Sequence, residues 1–297
     1  MNTHINARKM LAQHGLHPKK NLGQNFLTDR HVLDKIVAAA DISKNDLIIE
    51  VGPGLGILTA ELARAAGKVI AIEIDTNLAN ILHDTAPKNV EIINCDILKT
   101  DLGEIIAQSG FPRAKLVANL PYYITTPIIF SVLENSLPKN GLPVDLLVVM
   151  VQKEVADRML AAPSTKAYGL LTLSIAYYGA ASLVANVPPN CFFPRPDVHS
   201  AVVRIDVAQK IPGQARNDIF FQIVKAAFAS RRKTLQNCLA ASDGPGLTKA
   251  AAAKLIAAAG LPESVRGEAL AFEDFARLAD VYGQLTDPAP PHSCSNS

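Results

Sequence analysis

Apolar positions along this chain change rhythm every ten or so residues, and the changes outline its elements. Over residues 29–40, Val32, Leu33, Ile36, Val37 and Ala40 recur at helical spacing. Thr28 stands where a helix cap is expected, and Asp29 suits the first turn. Short unbroken apolar runs then alternate with helix-period stretches. The runs are "LIIEV" (47–51), "KVIAIE" (68–73), "VEIINC" (90–95), "KLVAN" (115–119) and "VDLLVVMV" (144–151). Helical patterns fall at 57–65, 77–83, 101–107, 127–133 and 152–160. Strands covered on both faces read as continuous apolar runs rather than as alternation. The pattern therefore predicts an α/β fold with an open parallel sheet and helices on both sides. Ligands in such sheets sit beyond the carboxyl ends of the strands.

After Tyr168 the rhythm predicts a helix and two more strands, 182–187 and 200–207. "QKIPGQARND" (209–218) is a polar break, and the chain beyond it is helical throughout: 219–229, 232–241, 248–259 and 273–282. These features predict a catalytic domain over 1–208, a small all-helical domain over 209–285 and a disordered tail over 286–297.

Composition sharpens this picture modestly. Hydrophobic residues make up 49% and charged residues 19%, so a well-buried core is expected. A net charge of +2, with pI near 8.3, does not by itself mark a nucleic-acid binder. Any such role rests on local clusters, of which "HPKK" (17–20) and "SRRK" (230–233) stand out; each alone also reads as a solvated face. Cys95, Cys191, Cys238 and Cys294 lie far apart, without metal or redox spacing, and read as reduced thiols with no metal bound. The first residues carry no apolar secretory core, and no apolar run is long enough to span a bilayer. A cytoplasmic protein without membrane contact is expected.

Candidate chemistry lies at the strand ends. "EVGPGLG" (50–56) follows the first sheet strand and opens a helix. Its glycines, at 52, 54 and 56, miss the G-x-G-x-x-G dinucleotide spacing. Glu50, at the mouth of the expected site, would repel a pyrophosphate but accommodate the ammonium and sulfonium of S-adenosylmethionine. The loop alone reads equally well as a plain glycine turn. Glu73 ends the second strand, 21 residues after Gly52, where a carboxylate accepts hydrogen bonds from ribose hydroxyls. Asp96 ends the third, placed to accept from an adenine amine. The fourth ends in "NLPYY" (119–123). There the Asn119 carboxamide oxygen and the Leu120 carbonyl, set by Pro121, could converge on one –NH2 group. Tyr122 offers a flat face for a base. Taken alone, the pentapeptide reads better as an ordinary strand-ending turn. Tyr123 is expected to pack inward.

Taken together, "GQNFL" (23–27), "EVGPGLG", Glu73, Asp96, "NLPYY", "FFPRPDVHSAVVRI" (192–205), "FASRRKTLQNCL" (228–239) and "EDFARLADVY" (273–282) resemble the rRNA adenine dimethyltransferases, with the nearest likeness to the bacterial small-subunit group. The resemblance implies a class I methyltransferase fold with a mostly parallel seven-stranded sheet and a reversed last strand. It implies that Asn25, the Leu27 backbone, Gly52, Glu73, Asp96 and Asn119 hold S-adenosylmethionine. Asn119, Leu120, Pro121, Tyr122 and Phe192 would form the catalytic centre, Tyr122 and Phe192 sandwiching a flipped adenine, while Phe193 anchors its loop. Lys19, Lys20, Arg195, Arg231, Arg232 and Lys233 would hold RNA phosphates. Two adjacent adenosines in a 3′-terminal hairpin of 16S rRNA, within the immature 30S subunit, would each receive two methyl groups from a monomeric enzyme.

Two segments depart from the family pattern: Asn21-Leu22, where basic and aromatic residues are usual, and "PGQARND" (212–218). The competing readings are a resistance methyltransferase acting on 23S rRNA and a relative that binds RNA without catalysis. The 228–239 signature and the helical domain favour the small-subunit group over the first. Intact Glu73, Asp96, Asn119 and Tyr122 count against the second.

Overall fold

A computed structural model describes residues 6–19, 22–135, 144–207 and 217–286. The chain divides into two compact units, one formed by residues 1–160 and 178–209, the other by 161–177 and 210–297.

The first unit is built on a seven-stranded sheet. Its strands are β2 (Leu47–Val51), β3 (Lys68–Ile72), β4 (Val90–Ile93), β5 (Ala114–Asn119), β6 (Val144–Gln152), β7 (Gly179–Val187) and β9 (Ser200–Val207). The order across the sheet is β4-β3-β2-β5-β6-β9-β7. Strands β2 to β6 pair in parallel, and β9 runs antiparallel to both β6 and β7. The predicted mostly parallel sheet with its last strand reversed is what forms. Its centre is dry: every residue of β2 is buried, including Glu50. Side chains such as Leu47, Ile48 and Ile49, wholly shielded from water, each contribute about 1.5–3 kcal/mol of burial.

Helices α2 (Arg30–Ala39), α3 (Ile57–Ala65), α4 (Thr76–Thr85), α5 (Leu102–Gln108), α6 (Thr125–Asn135) and α7 (Lys153–Met159) follow the predicted stretches closely. The cap of α2 lies one residue later than expected. Asp29 accepts from the Val32 amide at 3.1 Å, while the Thr28 hydroxyl donates to the Cys191 carbonyl at 3.0 Å. Two features were not expected. Helix α1 (Ala7–Gln13) buries Ala7 and Leu11 against Phe26, Leu55 and Leu78. A separate two-stranded sheet pairs β1 (Phe26–Leu27) with β8 (Phe192–Phe193), setting Phe26 opposite Phe193 and Leu27 opposite Phe192.

The second unit contains α8 (Leu170–Tyr178) up to Tyr177, α9 (Asn217–Phe228), α10 (Leu235–Ala240), α11 (Lys249–Ala258) and α12 (Phe272–Thr286). Residues 161–177 belong here and not, as predicted, to the first domain. Tyr177 packs on Phe220 and Phe221, with ring centroids 4.8 and 5.1 Å apart, and the Tyr168 hydroxyl donates to the Leu270 carbonyl at 2.7 Å. Periodicity announces the helix but not its partner, because α8 is apolar nearly all round. Most of the 209–218 break lies outside the described residues, as does the 286–297 tail apart from Thr286, which ends α12. Among the described residues no helix is long and apolar enough to cross a membrane.

Candidate active site

The carboxyl ends of β2, β3 and β5, with the residues after β4, open onto one cavity of about 990 Å3, its open mouth included. It is enclosed by the segment 22–27, termed the strap; the loop from Glu50 to Leu58; the strand-end residues Ile72–Ile74, Cys95–Ile97 and Asn119–Ile124; and Leu78.

The glycine loop lets backbone approach where side chains could not. Gly54 and Gly56 sit at φ +60° and +75°, a region costly for residues with a Cβ. A Cβ at Gly54 would come within 2.9 Å of the Phe26 ring, and one at Gly56 within 2.6 Å of Leu82. Gly52 lines the cavity and donates its amide to the Ile72 carbonyl at 2.9 Å.

Glu50 is not at an exposed mouth, as its place in the sequence suggested, but only 1% exposed. It is the last polar group of a central strand, so the pleat holds it inside. Among the described residues its Oε2 has no hydrogen-bond partner. Burial pushes its carboxyl up to about 8; Thr59 eases the shift and the Glu73 charge adds to it. Glu73 is buried as well, accepting from the amides of Gly54 at 3.0 Å and Asp75 at 2.9 Å. Burial raises its carboxyl too, against those backbone bonds. Two neighbouring carboxyls that resist ionisation are what a bound cation would relieve. Asp96 lines the cavity and caps the following turn, accepting from the Leu98 amide at 3.0 Å.

The strap is tied down at several points. The Asn119 amide Nδ2 donates to the Asn25 carbonyl at 2.9 Å. That bond fixes which way the carboxamide points, so Oδ1 remains an available acceptor. Asn25 in turn donates from Nδ2 to the Gly23 carbonyl at 3.1 Å. Leu27 is buried and lines the cavity beside Asn25. Lys19 and Gln24 both reach Asp75, at 2.8 and 3.0 Å. Burial would raise the Asp75 carboxyl, but these bonds hold it below its ordinary value. Lys19 therefore serves the strap, where the sequence suggested a phosphate contact. Lys20 lies outside the described residues.

Beyond Asn119, Leu120 is 1% exposed and donates its amide to the Met150 carbonyl at 3.1 Å. The Pro121 carbonyl receives the Ile124 amide and the Thr125 hydroxyl, at 3.2 and 2.9 Å. This turn presents Tyr122 to the cavity. The Tyr122 hydroxyl shares a 2.6 Å hydrogen bond with Oγ of the wholly buried Ser200; burial raises the phenol and that bond offsets it. Tyr123 does not pack inward. It is 52% exposed, and its ring lies against Gly23, where a Cβ would come within 3.3 Å. The bare backbone of Gly23 is what lets the ring lie so close to the strap.

Two predicted groupings do not assemble. Phe192 is 5% exposed, packs in the core with Leu27, Val187 and Cys191, and is not among the residues lining the cavity. Its pairing with Leu27 turns the ring inward, so of the two predicted base platforms Tyr122 alone lines the cavity. Arg231, in the second unit, donates to the carbonyls of Lys166 and Tyr168, fastening the 161–177 segment instead of standing free for RNA. Arg232 and Lys233 are exposed, as is Arg195 in the first unit. Sequence reasoning missed Gln24, Asp75 and Ser200. An Asp capping α4 two residues after Glu73 was a visible signal for Asp75, whereas nothing local marks Ser200. Among the described residues no group of His, Cys, Asp and Glu could hold a metal ion.

A mostly parallel seven-stranded sheet with one reversed strand, a glycine loop held at positive φ after β2 and buried carboxyls facing one cavity define a class I S-adenosylmethionine-dependent methyltransferase. The chain belongs, more particularly, to the ribosomal RNA adenine dimethylase family, whose profile matches residues 15–280. It is 48% identical over 271 residues to a "Ribosomal RNA small subunit methyltransferase A" of Lachnoclostridium phytofermentans, covering 90% of this chain and 92% of the relative. It is 45% identical over 287 residues to the protein of that name from Clostridioides difficile, covering 95% and 96%. Among solved structures, a dimethyladenosine transferase from Plasmodium falciparum is similar at a TM-score of 0.71 and 25% identity, over 85% of this chain and 95% of that one. The 23S rRNA methyltransferase ErmE is similar at 0.66 and 25%, over 88% and 100%.

Proposed function

We propose that this chain transfers methyl groups from S-adenosylmethionine to the exocyclic amines of two adjacent adenosines in a 3′-terminal hairpin of 16S rRNA, two to each. The small-subunit methyltransferases that match nearly its whole length support this substrate over 23S rRNA. The finer reading is that it works as a monomer, in the cytoplasm, on the immature 30S subunit.

The observation that carries the chemistry is the fixed Asn119 carboxamide. With Nδ2 donating to the Asn25 carbonyl, Oδ1 can only accept, which suits an amine that has hydrogens to give. Oδ1 and the Leu120 carbonyl take the two amine hydrogens of the target base. Accepting both draws the nitrogen lone pair out of conjugation with the purine and aims it into the cavity. Tyr122, held by Ser200, supports the base's face, and Pro121 fixes the turn that brings these groups together. S-adenosylmethionine, when bound, supplies an electrophilic methyl group; Glu50, Glu73, Asp96, the Gly52 loop, Asn25 and Leu27 would hold it. Neither acceptor is a strong base. The proton released from the amine after transfer passes to water, and orientation supplies much of the rate. Unstacking the target costs a few kcal/mol, and stacking on Tyr122 returns about 1–3 kcal/mol. Phe192 could join the stack only by leaving the core. Among the described residues of the predicted set, Arg195, Arg232 and Lys233 are the exposed cations and would contact phosphate.

Transfer of labelled methyl groups to immature 30S particles, with 50S precursors and protein-free rRNA as controls, tests this reading. Label is expected as dimethyladenosine in 16S rRNA of the particles. Label confined to 23S rRNA would refute it.

A further inference from the structure

We propose that the N-terminal arm, residues 6–19, is an RNA-phosphate contact surface built onto the rim of the catalytic cavity. The proposal rests on the reading that the substrate is rRNA. Its starting point is a charge asymmetry. The first 28 residues contain four Lys and Arg and no Asp or Glu. The remainder holds 25 basic and 27 acidic residues. The chain's modest +2 thus conceals a net +4 over its first 28 residues, of which Arg8, Lys9 and Lys19 lie in the arm, against a slightly acidic remainder.

A basic run is usually a solvated tail, but this one is built into the fold. Asn6 caps α1, its Oδ1 accepting from the Lys9 amide at 2.9 Å. Ala7 and Leu11 are buried against Phe26, Leu55 and Leu78. Those three residues also line the catalytic cavity. The apolar side of α1 thus fixes the helix on the outer surface of the cavity wall, with Arg8, Lys9 and Gln13 facing solvent and His14 and His17 exposed just beyond. None of Arg8, Lys9, His14 or His17 has a side-chain hydrogen bond or ion pair among the described residues, whereas Lys19 is engaged by Asp75. Asp75 is buried and already bonded to Lys19 and Gln24, and the exposed residues flanking Leu78 on α4 (Thr76, Asn77 and Asn80) are uncharged. A rigidly mounted, unpaired cationic face beside a site that must receive a polyanion fits phosphate oxygens. The arm also runs directly into the strap, so phosphates held on α1 would favour the strap's seated position and raise cofactor affinity in return.

The test uses the full chain with Arg8→Gln and Lys9→Gln together, both on the exposed face. Binding to immature 30S particles is measured at several salt concentrations, alongside melting temperature, cofactor affinity in the absence of RNA, and methyl transfer. The slope of log K against log salt is expected to shrink by roughly 1.4–1.8, at ~0.7–0.9 per lost phosphate contact. Melting temperature and RNA-free cofactor affinity should stay at wild-type values. Arg8→Lys with Lys9→Arg should restore the slope. A double Gln variant that folds normally and keeps the wild-type slope would overturn the arm proposal, even though the unmodified protein labels 16S rRNA in the same preparation. Failure of the unmodified protein to label 16S rRNA would instead count against the proposed substrate, and the slope would still decide whether the arm contacts RNA.

Discussion

Replacing Glu50 with Gln separates the burden this carboxyl places on the fold from its value to the ligand. Burial lifts it from an ordinary 4.5 to about 8. Below pH 4.5 it is neutral in the folded and unfolded chains alike and adds no pH dependence. Between 4.5 and 8 the unfolded chain ionises while the folded chain keeps its proton, so stability falls as pH rises, by about 1.4 kcal/mol per pH unit. At pH 7 the accumulated loss is roughly 3 kcal/mol, approaching about 5 kcal/mol above pH 8. Gln has nearly the same shape and no proton to lose. Urea denaturation of the ligand-free protein from pH 5 to 8 should show the variant gaining on the wild type by up to ~1.4 kcal/mol per unit. Comparing slopes removes any constant change in hydrogen bonding. Cofactor binding should behave oppositely: a cation favours ionised Glu50, so wild-type affinity rises towards pH 8, while the variant binds weakly and loses that dependence. Parallel denaturation curves for the two proteins would refute the buried-carboxyl argument.

Asn119→Ala should abolish methyl transfer while RNA binding survives; transfer near the wild-type level would remove Asn119 from the mechanism. Ser200→Ala and Tyr122→Phe each delete the same bond, so each should lower kcat by about 2–12-fold, the worth of one hydrogen bond. The double variant should be no worse than either single one, with KM for S-adenosylmethionine unchanged; additive losses would separate the two residues. Arg231→Ala should destabilise the helical unit by ~1–3 kcal/mol, seen as a lower melting temperature, without changing the salt slope of RNA binding. Arg232→Ala with Lys233→Ala should do the reverse, and a reduced slope for Arg231→Ala alone would return that residue to the RNA surface.

How much of the fold was legible in the chain depended on the physics of each segment. Strands β2, β3 and β5 announce themselves because burial on both faces demands unbroken apolar runs, and Glu73, Asp96 and Asn119 stand out as the polar residues ending or closely following such runs. Helix α1 was illegible: seven residues with two buried positions make too short a period. The start of β7 was missed because Gly179, Ala180 and Ala181 carry no alternation. The errors at Glu50, Tyr123 and Phe192 share a cause. Each concerns the direction of a side chain at the end of a strand or turn, set by pairing partners far away in sequence, such as Leu27 for Phe192. Lys19 and Arg231 were read as free charges because their acceptors lie 56 residues away in one case and 65 and 63 in the other.

The pairing of β1 with β8 couples two passages of chain that stand far apart in sequence. The strap lines the cavity through Phe26 and Leu27, and β8 opens the loop that carries Arg195, so lifting one strand must break the ladder or carry the other with it. Two methyl groups on one adenine require two cofactor molecules, and the spent one must leave between transfers. If it leaves past the strap, and Arg195 holds phosphate as proposed, the grip on the RNA loosens at the same moment. Modification would then proceed in separate visits, with monomethyladenosine set free between them, and the ribosomal particle would have to be found again for each methyl group.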